Sequence, residues 1–326
     1  MPARLIALDG WRGLSILLVL AAHLLPLGPN AWHLNFASGV LGMSIFFTLS
    51  GFLITNFLIH RPSVVDFLIR RFFRIIPLAW LYLVIALSIA HPLTESWMAH
   101  FFFYANWPPM DFVSITGHFW SLCVEVQFYV GIAILFLLLR RHGLMLIPYF
   151  CLAFTLYRVM NNAHAAINTY YRIDEILAGS ILGLIYNKML GTWLSTFLGW
   201  VNPYVVMLLW LISCHPDSGF MNYFRPYFAA MLVGSTLFNN KTQMTKLLGI
   251  DILFYIAEIS YALYIIHPIL ADSWLGSGTK LVEYAKRPLL FAVLFFLAHT
   301  STFHFEHRMI LVGKKFSDWY KPTKEE

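Results

Sequence analysis

Ten stretches of about 20 mostly apolar residues recur along this chain, centred on Leu17, Phe47, Leu81, Tyr129, Ala153, Leu182, Met207, Met231, Tyr261 and Leu294. Runs of that length leave few solutions, because backbone polar groups in lipid must find their partners inside the segment itself, as a helix provides. The chain is therefore expected to be an all-α integral membrane protein, a bundle of about ten transmembrane helices over residues 1–312. A short charged tail, 313–326, is expected to follow. Composition agrees: 12% of the residues are charged and 59% hydrophobic, whereas a soluble domain carries about twice that charge. The first apolar run lacks an A-x-A-like cleavage site and more spans follow it, so it is expected to stay in the mature chain. Residues 97–109 are too polar and proline-broken to cross and read as a long loop.

Charge sets the orientation. With ten spans, sixteen Lys and Arg fall on one side, from Arg4 and Arg12 through Arg70, Arg71 and Arg74 to Lys321 and Lys324, against six on the other. The positive-inside rule then places both termini in the cytoplasm. The same distribution accounts for the net charge of +6 without a nucleic-acid partner. Loops 28–38 and 91–117, free of Lys and Arg, face outward. The aromatics of the second, Trp97 to Trp107, suit an interfacial belt or stacking on sugar rings.

Within that frame the polar residues sort by depth. Arg12 and His23 lie eleven positions apart in the first span, about three turns and roughly 16 Å along one face. Glu125 comes two turns into the fourth span from outside, Arg172 and Asp174 open the sixth from outside, and Tyr264 and His267 share a face of the ninth. Glu125, Arg172, Asp174 and His267 are expected in one outer stratum with His23. Ionisable groups at such depth are costly and mark function. At the inner boundary Arg71 and Arg74 share a face, and Arg70 joins Arg74 at i, i+4. Such a cluster suits a phosphorylated cytosolic molecule or lipid headgroups.

Plainer readings stand beside these. Cys123, Cys151 and Cys214 make no disulfide or metal pattern and read as small buried hydrophobes. Ser50-Gly51 reads as a close-packing point, and Ser260, Tyr264 and His267 as interhelical hydrogen-bond glue. His33, His91, His100, His118, His164 and His215 read as loop or interface residues. In Phe303-His304-Phe305-Glu306-His307, Glu306 points away from the two histidines, so no metal is expected.

The motifs taken in order resemble the acyltransferase 3 family of membrane acyltransferases. They are Leu8-Asp9-Gly10-Trp11-Arg12-Gly13 with His23, then Gly42-Met43-Ser44 through Ser50-Gly51-Phe52-Leu53-Ile54, and Arg71-x-x-Arg74-Ile75-x-Pro77. Trp120-Ser121-Leu122-x-x-Glu125-x-x-Phe128-Tyr129, Arg172-x-Asp174-x-x-Leu177-x-Gly179 and Ile259-Ser260-Tyr261-x-x-Tyr264-x-x-His267-Pro268 complete the set. The resemblance implies transfer of an acyl group, commonly acetyl, from acyl-coenzyme A to a hydroxyl of an extracytoplasmic glycan or lipid-linked sugar. It implies a donor site at Arg12, Arg71 and Arg74, with His23 at the chemistry. Neutral His23 would take the acceptor proton, Glu125 would orient the ring, and Tyr264 or Ser50 would assist the oxyanion; an acyl-histidine is the other route. Arg172, Asp174 and His267 are supporting candidates. The expected setting is the bacterial inner membrane, with the active site toward the extracytoplasmic half. An appended esterase-like domain is not expected, and a homo-oligomer or accessory partner is left open. Of the other function classes, a proton-coupled transporter or flippase would favour internal repeats, which are not evident, and a purely structural subunit would not need His23 and Glu125.

Overall fold

The computed structural model describes residues 5–239 and 241–320. Arg4, Lys321 and Lys324, counted above toward the cytoplasmic side, and the end of the expected tail lie outside the described residues. In chain order the longer helices are α1 (Ile6–Leu24), α2 (Leu34–His60), α3 (Val64–Ala90), α4 (Thr94–Phe101), α5 (Trp120–Leu144), α6 (Ile147–Met160) and α7 (Thr169–Tyr186). They continue with α8 (Trp193–Trp200), α9 (Pro203–Cys214), α10 (Arg225–Phe238), α11 (Gln243–Leu248), α12 (Asp251–Asp272), α13 (Lys280–Thr300) and α14 (His307–Tyr320).

Each of the ten expected centres falls on one of these helices. Length separates them: six helical stretches among the described residues are long and apolar enough to cross a membrane, or seven if the bent pair α8 and α9 counts as one span. Helices α6 and α10, at 14 residues each, reach about 21 Å at 1.5 Å per residue, short of a hydrocarbon core of roughly 30 Å. Proline near the start of both fixes where they begin. Helix α7 has 18 residues, but Arg172, Asp174 and Glu175 break its apolar run.

The chain divides into two compact units. The first comprises residues 1–56 and 141–260, the second 57–140 and 261–326. Arg140, at φ 50° inside α5, marks one of the passages between them.

The core of the first unit explains the Gly10-Trp11-Arg12-Gly13 motif. A Cβ at Gly10 or Gly13 would run into the carbonyl oxygen of Leu248 or Leu253, so α1 lies directly on the backbone of α11 and the start of α12. Trp11, 2% exposed, donates from Nε1 to Thr236 Oγ1 at 2.9 Å and meets Trp210 edge-on at 6.3 Å. Trp210 in turn donates to Ser44 Oγ at 2.8 Å. Helices α2 and α7 cross through small residues: a Cβ at Gly51 would strike the Ile176 carbonyl, and one at Gly179 the Thr48 carbonyl. Ser180 Oγ closes this contact by donating to Gly51 O at 3.3 Å. The close-packing reading of Ser50-Gly51 is seen at Gly51. Gly51→Ala is expected to cost about 1–3 kcal/mol by overpacking, read as a lower midpoint of thermal unfolding in detergent.

In the second unit α14 packs along α3. Phe73 stacks on Phe316 with centroids 5.6 Å apart, and Ser317 donates to Asp66. Residues 313–320 of the expected tail are thus part of a helix laid on α3. Segment 91–117 is tied down by Gln127 of α5, which donates to Phe103 O at 2.7 Å and Asn106 Oδ1 at 3.0 Å and accepts from Trp107 Nε1 at 2.9 Å. His100 is enclosed between Ser96 O at 2.7 Å and Thr116 Oγ1 at 2.8 Å. Burial holds its imidazole below the usual range, so it stays neutral. The three cysteines are free and buried.

Candidate functional site

His23 sits in the last turn of α1 with its side chain exposed. The end of that helix is held by a residue that no motif announced. Asn35 Nδ2 donates to Ala22 O at 2.8 Å and to Leu25 O at 2.6 Å, and its Oδ1 accepts from Leu27 N at 3.3 Å. These bonds take up carbonyls that a helix terminus leaves open, and they fix the turn that carries His23. Arg12, three turns earlier, lies 3.7 Å from Asp9, both side chains 22% exposed. The position of Arg12 follows from Gly10, Trp11 and Gly13, whose contacts pin the first turns of α1.

Arg172 and Asp174 also lie in the first unit, but they do not pair with each other. Arg172 Nη2 meets Glu175 Oε2 at 3.1 Å, while Arg158 Nη1 meets Asp174 Oδ2 at 2.5 Å. Arg225 Nε closes the group on Glu175 Oε1 at 2.6 Å and reaches Asn222 Oδ1 at 2.8 Å from Nη1. Thr155 donates to Asp174 Oδ2 at 3.1 Å. None of the five charged residues is more than 3% exposed. Arg158, Glu175 and Arg225 were not singled out in the sequence, and they join the ends of α6, α7 and α10.

The arginine motif and Glu125 belong to the second unit. The expected depths place them at opposite levels of the membrane; their contacts correct this. Tyr129 donates to Glu125 Oε1 at 2.6 Å, and the Arg71 guanidinium lies 5.8 Å from the centre of the Tyr129 ring and 5.9 Å from that of Phe67. Glu125, Tyr129, Arg71 and Glu306 are all electrostatic neighbours of Arg74. Arg71 and Arg74 lie two to three turns into α3, at the level where Tyr129 of α5, one turn from Glu125, meets it.

Arg70 also departs from the expected cluster. It is drawn to Asp66 Oδ1 at 2.5 Å and Asp318 Oδ1 at 3.7 Å, so it serves the contact between α3 and α14. Arg74 keeps an exposed surface, and among the described residues its guanidinium has no hydrogen bond or ion pair. A groove of about 350 Å³ runs beside this cluster, lined by Arg71 and Tyr129 and otherwise by apolar side chains such as Leu68, Phe72, Ile76 and Val126. The arrangement offers guanidinium donors to an anion and an apolar wall to whatever the anion is attached to.

Tyr264 and His267 take structural places in the same unit. Tyr264 donates to His118 O at 2.5 Å, shares a 2.6 Å hydrogen bond with Ser121 Oγ, and packs beside the His118 ring. His267 is buried, with Nδ1 2.8 Å from Tyr264 O. Ser260 bonds within its own helix, to Ala257 O at 2.8 Å. The interhelical hydrogen-bond reading holds for Tyr264, whereas these bonds of Ser260 and His267 stay within their own helix. No group of three or more His, Cys, Asp or Glu among the described residues is placed to hold a metal ion.

Comparison with known proteins gives one family. Residues 5–304 match the family model described as an acyltransferase domain. The O-acetyltransferase OatA of Staphylococcus aureus (strain NCTC 8325 / PS 47) is 26% identical over 318 residues, covering 82% of this chain and 50% of the relative. The peptidoglycan O-acetyltransferase OatA of Listeria monocytogenes is 32% identical over 151 residues, or 38% of this chain and 23% of that protein. The putative peptidoglycan O-acetyltransferase YrhL of Bacillus subtilis is 28% identical over 148 residues, 38% of this chain and 22% of the relative. The match thus spans half or less of the length of these curated relatives. No solved structure matches.

Proposed function

This chain belongs to the acyltransferase 3 family, and on that premise we propose that it is a membrane O-acyltransferase. In this reading it moves an acyl group, acetyl above all, from cytosolic acyl-coenzyme A to a hydroxyl of an extracytoplasmic glycan or lipid-linked sugar. The names of its relatives favour a peptidoglycan-like acceptor. Both termini are assigned to the cytoplasm and the protein to a bacterial inner membrane, on the charge asymmetry of the sequence. A sugar or lipid transporter is disfavoured by the family.

The observation that carries the proposal is the state of Arg74: an exposed residue whose guanidinium has no hydrogen bond among the described residues, beside Arg71 held against the Tyr129 ring. Five N–H donors left to a ligand suit the phosphates of coenzyme A, and Arg12 is assigned to the same donor. The apolar groove beside Arg71 suits the less polar remainder of an acyl donor. At the chemistry, neutral His23 takes the proton of the acceptor hydroxyl as its oxygen attacks the thioester carbonyl. The carbon–sulfur bond breaks, the imidazolium returns the proton to the leaving thiolate, and an ester and coenzyme A remain. Glu125 offsets the charge of the imidazolium as it forms. Ser50 is kept as a supporting group for the oxyanion, and Tyr264, whose hydroxyl proton goes to His118 O, joins Arg172, Asp174 and His267 as groups that hold the bundle in shape.

The test is labelled acetyl-coenzyme A supplied to membrane vesicles containing the protein, with label sought on the glycan. Arg74→Ala and Arg71→Ala are each expected to raise the donor KM about 10- to 100-fold, the worth of one charged hydrogen-bond set, at unchanged protein level. A donor KM that stays put in both variants rejects the assignment.

A further inference from the structure

Glu306 lies just outside the segment that matches the family, residues 5–304, and no step above uses it. It is 7% exposed within a 41-residue helical stretch long and apolar enough to cross a membrane. A carboxylate in such surroundings is expensive and points to function. Its hydrogen bonds come from its own helix, Thr302 Oγ1 at 2.9 Å and Ser301 Oγ at 3.4 Å, and among the described residues it makes no ion pair. The backbone accounts for its direction. Ser301–Glu306 form a π-helical turn, an insertion that re-aims the side chains following it and that recurs at functional sites.

That turn packs on α3, and the charge Glu306 faces there is Arg74. Tyr261, which has Glu306 as an electrostatic neighbour, donates to Ile75 O at 2.6 Å and so braces α3 next to Arg74. Gly313, two turns further on in α14, abuts Phe73, which keeps α14 close to α3. The cluster thus sets two guanidiniums, Arg71 and Arg74, against two carboxylates, Glu125 and Glu306. The Glu306 carboxylate is engaged by Thr302 and Ser301 of its own helix, and among the described residues it forms no ion pair with Arg74.

We propose that Glu306 sets the affinity of the donor site. In its ionised form the Glu306 carboxylate weakens the hold of Arg71 and Arg74 on the phosphates of acyl-coenzyme A, and equally on the coenzyme A product, which must leave before the next turnover. Glu306 is a positioning residue acting through Arg74, and this inference rests on the donor-site reading above.

The experiment measures donor KM, kcat and the inhibition constant of free coenzyme A in vesicles, for the parent and three variants. Glu306→Gln keeps an acceptor for Thr302 and loses the charge. It is expected to lower donor KM and the coenzyme A inhibition constant together, on the order of tenfold, the size of one partly screened charge at this range, with kcat unchanged or reduced. Thr302→Val keeps the charge but frees the carboxylate to approach Arg74, and is expected to move both constants upward. Arg74→Ala separates the two levels of the reading. If it leaves donor KM unchanged, the donor site itself is misassigned. If it raises KM while Glu306→Gln leaves KM unchanged or higher, the donor site stands and the role of Glu306 is overturned. Should Glu306→Gln not accumulate, Thr302→Val decides: constants that stay put or fall overturn the inference.

Discussion

His23→Ala is expected to lose acyl transfer by about 10²- to 10⁴-fold, the contribution of a positioned general base, while the protein reaches the membrane in normal amount. The second half of that expectation follows from the structure. The His23 side chain is exposed, so truncating it opens no internal void, and the turn beneath it is held by Asn35 through carbonyls that do not involve the ring. Trp11 with its Thr236 partner fixes the other end of α1. Activity is read as label on the glycan at matched membrane levels, and a variant with full activity removes His23 from the chemistry. A base that works as the neutral imidazole also gives a rate that falls as the ring takes up a proton at low pH, and His23→Gln should abolish that limb together with the rate. If instead an acyl-histidine forms, acid quenching with labelled donor and no acceptor leaves label on the parent protein and none on His23→Ala.

What could be read in the sequence follows from how local each signal is. Periodic apolar runs placed a helix at every expected centre because hydropathy is a property of one segment. Crossing length was harder, since α6 and α10 are bounded by prolines and turns whose neighbours are also apolar. Arg71 and Arg74 were paired correctly by the i, i+3 spacing. The same rule misplaced Arg70, because Asp66, four residues earlier, competes for it and wins with the help of Ser317 on α14. The expected separation of the arginines from Glu125 failed because Arg71 meets Tyr129, one turn from Glu125, in a contact between helices that counting spans does not reveal. Glu306 was weighed only as a metal ligand with His304 and His307, and the π-helical turn that carries it is not legible from helical-wheel arithmetic. Most hidden of all was the ionic group of the first unit: Arg158 meets Asp174 across 16 positions and Arg225 meets Glu175 across 50, distances over which no periodicity speaks.

That ionic group is where the largest loss of stability is expected. Three guanidiniums, Arg158, Arg172 and Arg225, share two carboxylates, Asp174 and Glu175, and Glu175 alone serves two of the three. With Arg225 and Glu175 at 0% exposure, water cannot stand in for a missing partner. Glu175→Gln leaves three buried cations facing one anion, and breaking a buried pair in this way costs about 3–5 kcal/mol. The variant is expected either to unfold at a clearly lower temperature in detergent or to fail to accumulate, without its side chain touching donor or acceptor. Replacing both partners separates charge from packing. In Glu175→Gln with Arg225→Met, two guanidiniums remain against one carboxylate, the same excess of one positive charge as in the parent, and apolar replacement of a buried pair is often close to neutral. The double variant should therefore regain most of the lost stability, and the transfer activity of the surviving protein with it. A single variant that melts within about 1 kcal/mol of the parent, a change of ordinary surface size, shows instead that the ends of α6, α7 and α10 are held together by their apolar contacts and not by these charges.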